Sequence, residues 1–269
     1  MLSHYASHLP EKLPAGGYAE PFAGGAAMFA HLREQNGHFL AVLGDVNGEI
    51  MGLYEEVRDN PDRLIHNVHD YSQAWATASG EERRELYYAT RARYWAEPEG
   101  PVATAMLYCL MRTGFNGIWQ TCKESNGRYG TPVGLVTKNG PVLDVPTIRE
   151  WSRMLSGSIL HKGGYATIPV KDESFVFCDP PYRDSFTTYS TIFGDEEQKK
   201  LIMWCRQLHH DKGCSVWLSN RDAGDGFFEE HAPDATLVRF PVTYTAGRRK
   251  KTDDGFIAKQ ATELLMKWE

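Results

Sequence analysis

The chain has no run of about 18 apolar residues, the minimum for a membrane-spanning helix. Met1-Leu2-Ser3-His4-Tyr5 also lacks the basic stretch and apolar core of an export signal, so a protein of the cytoplasm is expected. Cysteine is scarce: Cys109, Cys122, Cys178, Cys205 and Cys214 are odd in number and form no C-x-x-C pair. That argues against a disulfide framework and a zinc knuckle, and no bound metal is expected. Neither G-x-G-x-x-G nor G-x-x-x-x-G-K-[ST] occurs, so the pyrophosphate of a nicotinamide dinucleotide and the phosphates of ATP are poorly served. Positive charge is in deficit, 29 Lys and Arg against 35 Asp and Glu, for a net −6. As a sum this disfavours a polyanionic partner, because Lys and Arg contacts to phosphate usually supply most of the affinity.

What is present is an ordinary folding composition, 42% apolar and 24% charged over 269 residues, enough for one α/β domain with a substantial insertion. The charge is unevenly spread. Between 101 and 170, Arg112, Lys123, Arg128, Lys138, Arg149, Arg153 and Lys162 face only Glu124, Asp144 and Glu150, and Arg248-Arg249-Lys250-Lys251 forms a second basic run. Gly17 to Phe22 reads as a strand, Ala23-Gly24-Gly25 as a turn and Ala26 to Leu32 as a helix. Phe39 to Asp45 reads as a second strand ending on an acid, followed by a helix from Asn47 toward Val57. From Arg58 to Ala105 the texture is polar, aromatic-dotted helix. An apolar helix at Ala105 to Arg112 then leads into a loop rich in Gly, Asn and aromatics. Sheet-like segments return at Phe175-Val176-Phe177-Cys178 and at Cys214 to Ser219. The expected architecture is therefore a mostly parallel α/β sheet of the Rossmann-like kind, built from 1–55 and 155–269, with a mainly helical insertion at 56–154.

The sharpest signal is Asp179-Pro180-Pro181-Tyr182, directly after a strand pattern. A given tetrapeptide arises by chance in on the order of one chain in a thousand of this length. Ligands of open α/β sheets bind at the carboxyl ends of strands, where this segment would lie. Its residue types suit an aromatic amine, whose lone pair is delocalised into its ring. The Asp179 carboxylate and the Pro180 carbonyl can accept the amine's N–H bonds and localise that pair. Tyr182 offers a face for a base to stack on, and the Pro180-Pro181 pair holds these groups in an extended, stiff segment.

The second signal is Glu20-Pro21-Phe22-Ala23-Gly24-Gly25 at a strand-to-helix turn, where absent Cβ atoms let backbone approach a ligand. A tight turn alone would explain the glycines equally well. Asp45, however, falls 21 residues after Gly24 at the end of the next strand, the spacing of an acid that accepts from a ribose diol. The pair favours a cofactor carrying adenosine.

With these motifs the chain resembles the Dam-type DNA adenine methyltransferases, in which E-P-F-x-G-G precedes D-P-P-Y with a DNA-recognition insertion between them. Arg112-Thr113-Gly114-Phe115-Asn116-Gly117-Ile118 resembles the family's R-x-x-[FY]-N-G-[LI], Ser219-Asn220-Arg221-Asp222 its S-N-x-D, and Glu263-Leu264-Leu265 its closing E-L-L, with Gly247-Arg248 ahead of it. The resemblance implies S-adenosylmethionine bound near Pro21, Phe22, Gly24, Asp45, Tyr165 and Asp179, and a flipped adenine at Asp179 to Tyr182. It implies double-stranded DNA as partner, no membrane, and a chain acting as a monomer or as a dimer on DNA, in a restriction-modification or phage setting. Where the family often has G-D-[FY], this chain reads Gly163-Gly164-Tyr165.

The same acceptor geometry would serve N4 of cytosine or an adenine in RNA, although the cytosine enzymes more often begin the tetrapeptide with Ser. A DNA-binding relative without catalysis is the reading outside enzymes. DNA recognition is expected in the loop from Arg112 to Gly134. Arg112, Lys123 and Arg128 would meet phosphates, Phe115, Ile118 and Trp119 would enter the base stack, and Asn116 and Gln120 would read base edges. GATC-reading members carry arginine where this chain has Gln120, so a site other than GATC, or relaxed specificity, is expected.

Overall fold

Phe175-Val176-Phe177-Cys178 is apolar at every position, so as a strand it must be covered on both faces. In the computed structural model, which describes residues 2–136, 141–183, 193–244, 250–252, 255–257 and 259–269, it lies at the centre of a seven-stranded sheet. The strands are β1 (Tyr18–Glu20), β2 (Ala41–Asp45), β3 (Ile159–Lys162), β4 (Phe175–Cys178), β5 (Ser215–Asp222), β6 (Thr236–Tyr244) and β9 (Lys259–Trp268). Two further strands, β7 (Lys250–Thr252) and β8 (Gly255–Ile257), pair with each other. The sheet order is β3-β2-β1-β4-β5-β9-β6. The first five strands run parallel, and β9 lies antiparallel between β5 and β6.

The period of two along β4 decides what covers each face. Val176 and Cys178 join Leu201, Ile202 and Cys205 of α8 (Asp195–Lys212) in one apolar cluster. On the other side Phe175 meets Trp217 edge-on at 5.1 Å and Phe177 meets Tyr5 at 6.0 Å. α8 starts on Asp195, Glu196 and Glu197 and ends on His209, His210 and Lys212, each sign at the end where the helix dipole favours it. α2 (Ala27–Asn36) follows β1, α9 (Phe227–His231) precedes β6, and the short α1 (Leu2–Tyr5) carries Tyr5 to the sheet. Among the described residues no helix is long and apolar enough to cross a membrane.

The chain divides into two compact units. One holds the residues up to Asn47 and the segments that resume at Gly157 and at Phe193, and the other holds Gly48–Ser156. The boundary thus falls at Asn47, where the sequence pattern had placed it after 55. The reason is α3 (Gly48–Asp59), which buries Met51, Glu56 and Val57 and packs with α4 (Pro61–Thr77), α6 (Gly100–Thr113) and α7 (Val145–Leu155).

The polar look of α5 (Gly80–Ala96) has a structural explanation. Its inward face presents donors at fourfold spacing instead of an aliphatic stripe. Arg83 donates to the carbonyls of Trp75 and Val136, Tyr87 to Thr131, Arg91 to Gly130 and Thr131, and Trp95 to Tyr129, all at 2.7–3.2 Å. These bonds satisfy a carbonyl in the last turn of α4 and loop carbonyls that burial would otherwise orphan. A bridge between Gly114 and Val133 closes the loop at its base.

Candidate active site

The turn after β1 is built from backbone and one carboxylate. Ala23 N–H donates to the Gly44 carbonyl at 2.8 Å, and Gly24 N–H donates to Asp45 Oδ2 at 2.9 Å. Asn47 N–H donates to Asp45 Oδ1 at 2.8 Å, so the acid tethers the ends of two neighbouring strands. Burial raises the Asp45 pKa, against the pull of these two N–H bonds. Each of its oxygens retains a lone pair for a further donor. Gly24 has φ +46°, in the left-handed region, and a Cβ added at Gly24 or Gly25 would meet nothing within 4 Å. The glycine turn therefore faces open space. Pro21 is buried just before it, and Phe22 stacks on Tyr165 at 5.5 Å and 29°. Phe193 stands edge-on to Phe22 at 5.9 Å, and Trp204 edge-on to Tyr165 at 5.3 Å.

Glu20, the last residue of β1, is 3% exposed. Its Oε2 accepts from the Tyr18 hydroxyl at 2.8 Å and from Phe29 N–H at 3.2 Å, which ties β1 to the first turn of α2. Burial pushes its pKa up to about 8, with the nearby Asp179 charge acting in the same direction.

Asp179 follows β4 directly. Its Oδ1 accepts from the Ser219 hydroxyl at 2.5 Å, and its carboxylate is also bonded by the Tyr182 hydroxyl. Burial raises the Asp179 pKa, and the two hydroxyl bonds lower it. Burial likewise raises that of the half-buried Tyr182. Behind the loop, Asn220 Oδ1 accepts from Arg183 N–H at 3.0 Å, and Gln198 Nε2 donates to the Pro181 carbonyl at 2.9 Å. The Arg183 guanidinium then bonds Asp195 and Asp225 and lies 4.1 Å from the Phe227 ring centre. The sheet unit thus places Pro21, Phe22 and Gly24 after β1, Asp45 at the end of β2, Tyr165 just after β3 and stacked on Phe22, and Asp179 to Tyr182 at the end of β4, which adjoins β1. Ser219 and Asn220 were visible beforehand as a motif without a role. Gln198 gave no signal, since a glutamine in an amphipathic helix reads as surface.

Within the helical unit the expected recognition residues separate into two groups. Phe115 and Ile118 are exposed at 44% and 37%, with Asn116 between them in a left-handed conformation (φ 53°). Arg112 and Lys123 are exposed as well. Trp119, by contrast, is half-buried edge-on to Tyr129 at 5.3 Å, and Arg128 is half-buried in an ion pair with Glu49 at 3.0 Å. Gln120 is half-buried too. Its N–H donates to Thr131 Oγ1 at 3.0 Å and its carbonyl accepts from Gly130 at 2.7 Å.

A largely parallel sheet in this order, with a glycine turn after one strand and an acid-Pro-Pro-Tyr segment after its neighbour, defines a Rossmann-like methyltransferase. Residues 1–239 match the model of the D12 class N6 adenine-specific DNA methyltransferases, and the chain belongs to that family. It is 29% identical over 234 residues to the type II methyltransferase M.MjaIII of Methanocaldococcus jannaschii, covering 82% of this chain and 80% of that one. It is 28% identical to the type II methyltransferase M1.LlaDCHI of Lactococcus lactis subsp. cremoris, covering 94% of this chain and 87% of that one. With the DNA adenine methylase of Escherichia coli K12 the identity is 23%, covering 94% and 89%. The family's activity is methylation of adenine N6 in DNA, which sets aside the cytosine and RNA alternatives.

Proposed function

We propose that the methyl donor is S-adenosylmethionine, held along β1 and β2, and that an adenine swung out of duplex DNA is methylated at Asp179 to Tyr182. The observation carrying this reading is the Asp179 carboxylate at the end of β4, held by Ser219 one strand away from the open glycine turn. The residues present fit the donor. The space beside Gly24 and Gly25 admits a ligand against backbone, Asp45 keeps acceptor capacity for a ribose diol, and the Phe22–Tyr165 pair offers aromatic surface. Bound there, S-adenosylmethionine would supply a methyl group from its sulfonium sulfur, the sulfur–methyl bond breaking to leave a neutral thioether. The chain's own residues prepare the amine. The Asp179 carboxylate and the Pro180 carbonyl accept its N–H bonds, and Tyr182 stacks on the base. Asp179, made more basic by burial, takes up the proton that leaves N6 as the new N–C bond forms.

Gly48–Ser156 serves in this reading as the DNA-recognition insertion, with Phe115, Asn116 and Ile118 at the leading edge of its loop. The enzyme works in the cytoplasm on double-stranded DNA, as a monomer or as a dimer on DNA. Its cysteines are free thiols, consistent with a reducing compartment.

The test is Asp179→Ala. Incorporation of labelled methyl groups into plasmid DNA should fall by roughly 10²-fold or more, as for other lost acceptors in reaction sites, while the melting curve keeps its shape. A near-normal rate would refute the assignment.

A further inference from the structure

Two side-chain amides lie wholly buried behind the Asp179–Tyr182 loop, Gln198 on α8 and Asn220 on β5, both 0% exposed. They form one directed chain. Gln198 Nε2 donates to the Pro181 carbonyl at 2.9 Å, Asn220 Nδ2 donates to Gln198 Oε1 at 3.0 Å, and Asn220 Oδ1 accepts from Arg183 N–H at 3.0 Å. The same Oδ1 accepts from Arg221 N–H at 2.9 Å. The two loop groups gripped in this way are the carbonyl before Tyr182 and the N–H after it. Those belong to the two peptide planes on either side of Tyr182, and fixing both planes fixes its φ and ψ. Ser219, the residue before Asn220, holds Asp179 Oδ1 at 2.5 Å, so consecutive residues of β5 govern both the acceptor and the stacking ring.

We infer that Gln198 and Asn220 form an amide relay that positions Tyr182 for the target base, and that Gln198 is a positioning residue for methyl transfer. The inference rests on the assignment of the target base to Asp179 and Tyr182. A polar pair sealed in an apolar cluster carries a desolvation cost, and a helix-to-strand contact here could be made by aliphatic side chains. What aliphatic side chains cannot do is hold a carbonyl and an N–H of the loop at once. Pro181 has no N–H and Pro180 none either, so the loop offers few groups to grip, and the relay uses the carbonyl and amide on either side of Tyr182.

Gln198→Met keeps length and bulk but removes both bonds. Single-turnover methyl transfer to duplex DNA should slow by more than about fivefold, since small misplacements of reacting groups are costly, while S-adenosylmethionine binding by calorimetry stays within about twofold. A smaller loss of rate, or an equal loss of donor binding, overturns the inference. Should Gln198→Met fail to fold, Gln198→Glu decides. Its carboxyl matches the amide in shape and can donate to Pro181 only when protonated. The ionisable groups nearby (Asp179 and Arg183 on the loop, Asp195 on α8, Arg221 on β5) are common to both proteins, so the ratio of variant to wild-type rate reports the new carboxyl. That ratio should fall below about one fifth as pH is raised from about 6 to 9, with the carboxyl ionising. A ratio remaining above that level throughout overturns the relay. Asp179→Ala run alongside separates the two claims: if it is active the site assignment fails, and if it is inactive while Gln198→Met is normal, only the relay fails.

Discussion

The Ser219 hydroxyl donates to Asp179 Oδ1 at 2.5 Å, and this bond opposes the burial that raises the Asp179 pKa. In the proposed reaction Asp179 must be ionised to take up the proton that leaves the amine, so the rate of methyl transfer should rise with pH through its pKa. Ser219→Ala removes a group that stabilises the ionised form. Its rising limb should therefore lie at higher pH than that of the wild type, with the greatest loss of rate on the acid side. Single-turnover rates across the pH range check this, and coincident limbs would show that Ser219 does not tune the carboxylate.

Glu20 gives a stability prediction of definite sign. Its pKa in the folded protein is about 8 against an ordinary 4.5, so the native state holds a proton that the unfolded chain releases. Its contribution is fully present below the ordinary value and is lost as pH rises through the folded one, at up to about 1.4 kcal/mol per pH unit. Glu20→Gln cannot ionise. Urea midpoints measured for both proteins at several pH values should show the wild type falling relative to the variant between those limits. A constant difference would mean that Glu20 titrates normally.

Arg112 and Arg128 were alike in the sequence and differ in the structure. Arg112 is exposed and spends one N–H on the Pro141 carbonyl at 3.2 Å, which leaves further donors for a phosphate, so Arg112→Ala should lower the salt dependence of DNA binding by about one unit of slope. Arg128 is half-buried and paired with Glu49, so Arg128→Ala should chiefly lower the melting temperature. Fluorescence anisotropy at several salt concentrations, beside thermal melts, separates the two effects.

The resemblance to GATC-reading members sets Gln120 against a guanine-reading arginine, and an amide lacks the two parallel donors that guanine O6 and N7 require. Sequencing of N6-methyladenine in DNA from cells making the protein should show methylation outside GATC. Thr131 fixes the backbone of this residue, donating to the Ile118 carbonyl at 2.8 Å and accepting from Gln120 N–H. Thr131→Val should therefore broaden the set of methylated sites while leaving total methylation less affected. Confinement to GATC would remove Gln120 from its role.

Strands with a single possible environment were legible in the sequence. β4 reads as fully apolar, and β2 reads as a strand that ends on Asp45. β3 was not legible, because its edge position leaves Ile159 exposed at 48% and erases any alternation. β9 was missed for a different reason. It runs antiparallel between β5 and β6, and that placement depends on long-range pairing that no local pattern encodes. In the proposed site, most of the residues assigned to touch a ligand stand in a motif, E-P-F-x-G-G or D-P-P-Y. Those acting through another residue, Gln198 and Thr131, stand in none and were not legible, since a buried amide or hydroxyl has the same letter as an exposed one.

The helical unit is entered after β2 and left before β3, two strands that lie side by side in the sheet. An excursion placed between adjacent parallel strands leaves the order of the other strands untouched, whatever its length or sequence. With the proposed roles, Gly48–Ser156 is a cassette in which one set of reading residues can be traded for another while the strands that carry Asp179 and Tyr182 keep their places.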